Sequence, residues 1–403
     1  MSASLVSYFD VEGDSVVPGP VSAAPFDPNA GNLFPKFPDR LSATAWELWF
    51  FDGGSNDGKM SFTCSFFRDG RGNEEGGWRV QVFALWPDGS MWKDEVRFAE
   101  SVVTVDRGSL NGPAQGRVDG VWRDRDNHSS ASFTVEPQLG AATIRFDIKE
   151  RVEGTVVLTA LDGNHQGLPS SEAAALLCPD MYYVRPISLA NAKADIIFHG
   201  VEMDSGPPEM VRDFKFVSGR GGMDRCWSTL SWPQLLSESY FLRAKIGPYN
   251  MQVMRILTPE FSGRKPHAIA RLWKNEKVIC QAQQAVDLAD LAGRLPDEDA
   301  IAIEKVRGTE SGKGVTGAFR DKNVGYAIHF IKGTGSGTGN KSSPDGLQWR
   351  FDVRHTRPWW NMPTSPPGPD ATGNSGFLES VEGGAQGEAW PPGTGRCGQL
   401  ELR

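Results

Sequence analysis

The sequence lacks the common signatures of metal, redox and nucleophile chemistry. It has no CxxC pair, no HxH or HExxH spacing, no GxSxG motif and no GxGxxG that follows a strand and opens a helix. These patterns mark thiolate zinc sites, zinc hydrolases, serine hydrolases and dinucleotide-binding folds. Five widely separated cysteines form an odd set, which favours a reducing compartment over a disulfide framework. We therefore predict an activity without cofactor or metal.

Clusters of basic residues and long apolar runs are also missing. The net charge is -8, whereas phosphate binding requires a basic face. Nowhere do 18 apolar residues follow one another, and the opening "MSASLVSYFD" has no basic segment before an apolar one. We predict a soluble, cytoplasmic protein that binds neither nucleic acid nor membrane, and we leave open whether it forms a homo-oligomer.

Glycine, proline and tryptophan are abundant instead. With 46 glycines, 27 prolines and 13 tryptophans, short apolar runs such as "MSFTCSFF" and "WRVQVFALW" alternate with turns. This pattern is typical of many short strands. It predicts an all-β chain with an extended arm over residues 1–40, a β domain over 41–210 and a β-barrel domain over 211–403. Short helices are predicted in "SSEAAALLC" and "VDLADLAGRLPDEDA".

The segment "WELWFFD" is apolar on both faces. Strand alternation places Glu47, Trp49 and Phe51 on one face and Asp52 on the other, so at most one of the two carboxylates points into any cavity. Such a strand is expected in a barrel with a ligand cavity or in the centre of a two-sheet sandwich. Glu47 is the preferred candidate, with a buried salt bridge as its alternative role.

A second segment, "GGMDRCWSTLSWPQ", carries two tryptophans five residues apart. On a strand or a helix, that spacing turns the rings away from each other. We therefore expect Trp227 and Trp232 to serve different environments. Asp224 and Arg225 are expected to pair with each other.

Four blocks carry a family resemblance: "TAWELWFFDG", "MYYVRPI", "GGMDRCWSTLSWPQLLSESYFLRAKIGPYNMQVMRI" and "PTSPPGPDATGNSGF". In order and content they resemble the fungal decalin-forming Diels-Alderases of polyketide–tetramic acid pathways, which are distantly related to hydroxyneurosporene synthases. The likeness runs from "GNLFPKF" to "GFLESVEGG". It implies two lipocalin-like β domains with a substrate pocket between or alongside them. It also implies cofactor-independent intramolecular [4+2] cycloaddition of a linear polyenoyl tetramic acid.

The resemblance also suggests roles for single residues. Trp227 matches a pocket-wall tryptophan and is expected to contact the folded polyene, with a core position as the alternative. Tyr182 is preferred over Tyr183 as the tyrosine that presents its hydroxyl to the pocket. Trp49, Phe51 and Asp52 complete the predicted substrate contacts of the first domain.

In the second domain, Asn374 is expected to bind a tetramic carbonyl, or alternatively to hold the "TGNSG" turn. Ser237 is a candidate donor to the same head group, unless it is an ordinary strand serine. Trp360 is expected at the pocket wall. Met251 and Met254 are three apart, so one of them would shape the pocket and the other would pack in the core. Glu47, Trp227 and Asn374 are our catalytic candidates.

Two other functions stay open from the sequence. Epoxide rearrangement or alkene hydration would require a carboxylic acid kept protonated in a cavity. A lipocalin-like carrier would bind a hydrophobic molecule without accelerating any reaction.

Overall fold

The regular structure of the chain is almost entirely β, as predicted. The computed structural model describes residues 4–72, 74–106, 116–161, 168–203, 207–291, 295–308, 314–335 and 348–402. Within these ranges the helices are single turns: α1 (Glu172–Ala175), α2 (Trp232–Leu235) and two 3-10 turns, Pro137–Leu139 and Glu260–Ser262. No helix in the described ranges is long and apolar enough to cross a membrane.

One of the two predicted helices is confirmed. Helix α1 falls in "SSEAAALLC", where the Ser171 hydroxyl accepts a hydrogen bond from Ala174 N and caps the turn. The other prediction, over residues 286–300, is wrong in its described part, which consists of turns, bends and irregular chain up to the strand that begins at Ala300. Asp287 explains the difference, because its carboxylate accepts from Ala289 N in a local turn that competes with a helix.

The described chain divides into two compact units. Unit 1 comprises residues 1–176 and 180–231, and unit 2 comprises residues 177–179 and 232–403. The second unit therefore begins its main body at Trp232, whereas the sequence placed a boundary near 210. The difference arises because strand β15 (Glu209–Ser228) continues through the predicted boundary. The short strand β13 (Leu176–Cys178) lies where the chain leaves unit 1.

Unit 1 is built on one long, antiparallel sheet. Its strand order is β1-β8-β9-β10-β11-β12-β14-β15-β4-β5-β6-β7. The bounds are β1 Ser4–Asp10, β4 Trp46–Ser55, β5 Ser61–Asp69, β6 Trp78–Leu85, β7 Met91–Phe98, β8 Glu100–Asp106, β9 Val118–Arg123, β10 Ser130–Val135, β11 Ala141–Ile148, β12 Val152–Ala160, β14 Met181–Val201 and β15 Glu209–Ser228. A small parallel pair, β2 (Val16–Val17) and β3 (Leu41–Ser42), accompanies it.

The sheet of unit 1 bends back on itself. Met91 in β7 exchanges two backbone hydrogen bonds with Glu202, just past the end of β14. The predicted arm is part of this arrangement, because Ser4–Asp10 pairs with β8 as an edge strand. The remaining arm residues up to 40 run without a long strand.

The inner face of this sheet holds an aromatic core. Trp49, Phe51, Phe66, Trp122 and Phe133 have ring centroids 5.0 to 6.0 Å apart. Edge-on and tilted contacts of this kind stabilise cores beyond the burial of area alone. The alternation predicted for "WELWFFD" therefore places the side chains of Trp49 and Phe51 in the closed core.

Unit 2 is a nearly closed barrel. Its order is β19-β18-β17-β16-β24-β23-β22-β21-β20, with bounds β16 Glu238–Ile246, β17 Tyr249–Leu257, β18 Pro266–Lys274, β19 Lys277–Ala282, β20 Ala300–Arg307, β21 Asn323–Ile331, β22 Gln348–Pro363, β23 Gly373–Ala385 and β24 Gly393–Glu401. The two edges meet just beyond β19. There Ile301 N donates to Gln284 O at 3.1 Å, and Val286 N donates to Ile301 O at 2.9 Å.

Candidate active site

Glu47 is held between two arginines in the interior of unit 1. Arg225 on the neighbouring strand β15 donates from Nη2 to Glu47 Oε2 at 2.5 Å, and Arg68 Nη1 lies 3.8 Å from Oε1. All three side chains are fully buried. Glu47 thus has the buried salt bridge that the sequence left open as its alternative role, and a catalytic role for it stays a prediction.

The sequence suggested that Arg225 pairs with Asp224. In the structure it pairs with Glu47 instead. Adjacent strand residues point to opposite faces, so the expected pair could not form. The remaining guanidinium donors of Arg225 bind the backbone carbonyls of Asn32, Leu48 and Cys226. Because each of its three guanidinium nitrogens donates to an acceptor, this cation is committed to the structure of unit 1.

The same charged centre fixes the N-terminal arm. Lys36 N donates to Glu47 Oε2 at 2.9 Å, Arg225 binds Asn32 O, and the indole of Trp49 donates to Leu33 O at 2.9 Å. Three hydrogen bonds from two strands thereby position the segment 32–36, which the sequence describes only as an extended arm.

Trp227 lies in a stack of aromatic rings next to this segment. Its ring is 5.2 Å from that of Tyr182 at an interplanar angle of 7°, and 6.5 Å from that of Phe26 at 29°. Lys36 Nζ lies 5.3 Å from the Trp227 centroid. Trp227 is 2% exposed, whereas Tyr182 and Phe26 are half-buried and form the outer layer of the stack.

Tyr182 stacks on Trp227, and the presentation of its hydroxyl to the pocket in preference to that of Tyr183 stays a prediction. Burial, followed by the carboxylate of Glu172 in α1, raises the pKa of the Tyr182 hydroxyl. The phenol is protonated at neutral pH, and its hydroxyl is hydrogen-bonded to the Glu172 carboxylate.

A surface groove opens at another part of the same unit. It has a volume of about 340 Å³. It is lined by residues 18–21 of the N-terminal arm, by residues 42–44 just after the arm, and by residues 229–230 of the "GGMDRCWSTLSWPQ" segment. Its lining consists of Pro18, Gly19, Pro20, Val21, Ser42, Ala43, Thr44, Thr229 and Leu230. The last two residues follow β15 directly, so the groove begins two residues beyond Trp227 in the chain.

In unit 2, Trp360 and Asn374 meet. The indole N–H of Trp360 donates to Asn374 Oδ1 at 3.2 Å, across the pairing of strands β22 and β23. The Asn374 carbonyl oxygen is thereby used, while its amide N–H groups remain as donors. Asn374 lies within β23 and therefore does not hold a turn, while its contact with the head group stays a prediction.

The other candidates of unit 2 have ordinary structural contacts. The Ser237 hydroxyl donates to the backbone carbonyls of Leu257 and Thr258 at 3.3 and 3.1 Å, and the residue lies just before β16 and not in a strand as expected. Met251 lies in the barrel core and Met254 lies outside that cluster. This division agrees with the opposite faces predicted from their spacing and leaves Met254 as the pocket candidate.

A buried polar cluster lies inside the barrel of unit 2. His355, Glu379 and Cys397 bring three potential metal ligands within 4.8 Å of one another. Glu379 lies 3.0 Å from His355 Nδ1 and 3.3 Å from the Tyr240 hydroxyl. Burial and then Glu379 raise the pKa of the Cys397 thiol well above its ordinary value, so the thiolate form that binds metals is disfavoured. These contacts describe a hydrogen-bond network, and the expectation of no metal stays a prediction.

Comparison with known proteins decides the family. A family model described as Diels-Alderase-like matches residues 2–403. The chain belongs to the Diels-Alderase-like family. The resemblance inferred from the four sequence blocks is thus confirmed, and with it the expectation of an enzyme.

Several Diels-Alderases are similar to the chain over its whole length. Diels-Alderase gNR600 of a Fungal sp. (strain NRRL 50135) is 40% identical over 420 residues, which cover 100% of this chain and 99% of the relative. Diels-Alderase fsa2 of Fusarium sp. (strain FN080326) is 41% identical over 403 residues, 100% of both chains. The crystal structure of CghA superimposes with a TM-score of 0.85 at 34% identity and covers 98% of both chains. CghA has also been crystallised with Sch210972, at a TM-score of 0.83 to this chain.

Within this Diels-Alderase-like chain, the predicted site residues fall into two groups. Unit 1 contains Glu47, Trp49, Phe51, Asp52, Tyr182 and Trp227, and unit 2 contains Ser237, Met251, Met254, Trp360 and Asn374. Trp227 and Trp232 belong to different units, in agreement with their expected division. Asp52 is buried and lies on the strand face opposite to Glu47, as the alternation predicted. Substrate contact for each of these residues stays a prediction.

Sequence reasoning missed Phe26 and Lys36, because it treated residues 1–40 as a covering arm. A signal was present in "GNLFPKF", where the resemblance begins: a single lysine stands among phenylalanines and prolines. A cation surrounded by apolar residues in a turn-rich segment indicates a buried position that needs a partner.

The substitution Gly376→Ala tests the position of Trp360. A Cβ at residue 376 would lie 2.2 Å from Trp360 Cε3, so Gly376→Ala must push the indole away from Asn374. We expect a loss of about 1–3 kcal/mol in the free energy of unfolding, measured by urea denaturation. Gly19→Ala is the control, because nothing lies within 4 Å of the added methyl group there. Equal stability of the two variants would contradict the close packing of Trp360 on Gly376.

Proposed function

We propose that the chain catalyses the intramolecular [4+2] cycloaddition of a linear polyenoyl tetramic acid to a decalin. The family match over residues 2–403 carries this proposal, together with full-length relatives that are named Diels-Alderases. The CghA structure with Sch210972 supports a small molecule as the ligand.

The main contribution to such a reaction is conformational. Diene and dienophile must be held in one folded conformer, and fixing that geometry can supply several of the roughly 7–11 kcal/mol available from proximity and orientation. In unit 1, the stack of Tyr182 on Trp227 supports this role, because the buried indole holds the half-buried ring of Tyr182 at 7° to its own plane as a rigid apolar surface. We assign these rings to the wall against which the polyene folds.

A second contribution is polar. A hydrogen bond to the carbonyl conjugated with the dienophile accelerates the reaction if it strengthens as the transition state polarises. In unit 2, the amide N–H groups of Asn374 are donors for such a carbonyl, and Trp360 fixes the orientation of the amide. We assign Met254 of the same unit to the apolar surface of the pocket. For Glu47 we propose a positioning role, because it holds Arg225 and the backbone of Lys36.

The walls of the substrate pocket determine stereoselectivity, because they favour one folded conformer of the polyene over another. A difference of about 1.4 kcal/mol between the endo and exo transition states already gives a tenfold product ratio. We therefore propose that the aromatic surface of unit 1 selects one diastereomer, although its residues make no bond to the reacting atoms.

The activity is tested by incubating the protein with a linear polyenoyl tetramic acid. We expect faster cyclisation than in buffer and enrichment of one decalin diastereomer, measured by chromatography of the products. Tight binding with an unchanged rate and product ratio would instead identify a carrier. Incorporation of labelled solvent oxygen would identify an alkene hydratase.

A further inference from the structure

Lys36 is a buried lysine whose ammonium group has one hydrogen bond. Its side chain is 3% exposed, and Nζ donates to Pro25 O at 2.8 Å. An ammonium group has three N–H donors, so two of them are without an acceptor among the described residues. No carboxylate in the described ranges lies within salt-bridge distance of Nζ. A buried charge without a paired anion is costly, which indicates that a partner is supplied from outside the chain.

The other cations close to this position are already committed. Arg225 binds Glu47 and three backbone carbonyls, and Arg68 binds Ser7, Ser101 and Glu47. Lys36 is thus the cation next to Trp227 whose charge is not balanced by a direct contact.

Aromatic rings surround the ammonium group. Nζ lies 5.3 Å from the ring centroid of Trp227 and 5.6 Å from that of Phe26. Both distances are within the range of cation–π attraction, which stabilises the charge without satisfying its donors. The residues next to the Lys36 ammonium group lie near the protein surface, because Pro25 is exposed and Phe26 is half-buried. A ligand can reach the ammonium group by displacing the Phe26 ring.

Four charged groups act on Lys36. Asp27, Glu47 and Glu172 favour its ammonium form, and Arg225 disfavours it. Burial outweighs them and lowers the pKa of Lys36 to about 8. The ammonium form therefore predominates at neutral pH and is lost as the pH rises through about 8, unless a bound anion stabilises it.

We propose that the Lys36 ammonium group binds the anionic head of the substrate, a deprotonated 1,3-dicarbonyl, and places the attached polyene against Trp227. The inference rests on the proposed function for the identity of the ligand. A 3-acyl tetramic acid is an acidic 1,3-dicarbonyl whose conjugate base spreads its charge over oxygens that accept hydrogen bonds. The two open donors of Lys36 match such a group, whereas an uncharged head would leave the buried ammonium unpaired.

This role predicts an effect mainly on KM. The head group keeps its charge through the cycloaddition, so Lys36 stabilises the bound substrate and the transition state similarly. Loss of one charge-assisted contact should raise KM about ten- to a hundredfold and leave kcat nearly unchanged.

The test compares two substrates and two variants. The substrates are the linear polyenoyl tetramic acid and its O-methylated form, which cannot ionise. In the wild-type protein, we expect KM for the acid to rise above pH 8 while KM for the methylated form stays flat. Lys36→Met should raise KM for the acid alone, and Lys36→Arg should restore its affinity and keep it above pH 8. Flat KM profiles for both substrates in the wild type would overturn the inference, and that experiment needs no variant that must fold.

Binding of a substrate fragment tests the Lys36 anion site independently of the proposed cycloaddition. A short 3-acyl tetramic acid without a diene cannot cyclise, and its binding is followed through tryptophan fluorescence. If the fragment binds the wild type at pH 7 at least tenfold more tightly than Lys36→Met, the anion site stands even when the full substrate fails to react. Equal affinity of a folded Lys36→Met, checked by circular dichroism, would overturn it.

Discussion

Glu47→Gln is expected to lower the free energy of unfolding by about 3–5 kcal/mol. The substitution leaves the guanidinium groups of Arg68 and Arg225 buried without their anion, and all three side chains are fully buried in the native protein. It also weakens the acceptor of Lys36 N and so loosens the segment 32–36. Urea denaturation followed by tryptophan fluorescence measures the effect.

A surface carboxylate provides the control for Glu47. Glu202 lies 3.7 Å from Lys93, and the two side chains are 56% and 45% exposed. Glu202→Gln should therefore cost about 0–1 kcal/mol, since exposed ion pairs contribute little. If Glu47→Gln is no more destabilising than Glu202→Gln but abolishes cyclisation, Glu47 acts on the substrate and its structural assignment is wrong.

Trp227→Phe is expected to reduce kcat/KM or to change the diastereomer ratio by at least about tenfold, which corresponds to about 1.4 kcal/mol in the transition state. Phenylalanine keeps a six-membered aromatic ring beside Tyr182 but lacks the pyrrole part of the indole. The loss of stability should be smaller than the 3–5 kcal/mol typical of full truncation of a buried tryptophan. Product analysis by chiral chromatography and urea denaturation provide the two measurements.

Trp122 is the matched control for Trp227. It is fully buried in the aromatic core of the same unit, and its indole donates to Phe67 O at 3.1 Å. Trp122→Phe should therefore lower stability at least as much as Trp227→Phe, and it should not alter the product ratio. If Trp227→Phe lowers stability more than Trp122→Phe and leaves the product ratio unchanged, Trp227 is a core residue and not part of the pocket wall.

Local rules predicted much of the fold. The alternation in "WELWFFD" correctly separated Glu47, Trp49 and Phe51 from Asp52, because side-chain direction on a strand depends only on sequence spacing. The short helix predicted in "SSEAAALLC" is present as α1. The helix predicted over residues 286–300 failed because Asp287 forms a local turn, a competition that helical periodicity does not reveal.

Partners that are distant in sequence were not predictable in the same way. Arg225 was expected to pair with its neighbour Asp224, yet it binds Glu47, 178 residues away. That contact depends on β15 lying beside β4, and the strand order of a sheet is set by the whole chain. The change of unit at Trp232 was missed for a similar reason, since the strands on either side of the predicted boundary, β14 and β15, pair with each other in one sheet.

The sequence by itself determined the β class, the faces of its strands and, through its four blocks, the family. Each of these depends on local spacing or on residue order, and both are present in the unfolded chain. Only the tertiary structure decided that Glu47 joins two arginines and that Lys36 lies beside Trp227. Such contacts form when remote segments are packed together, and burial then determines which charges have partners and which, like Lys36, are left to bind a ligand.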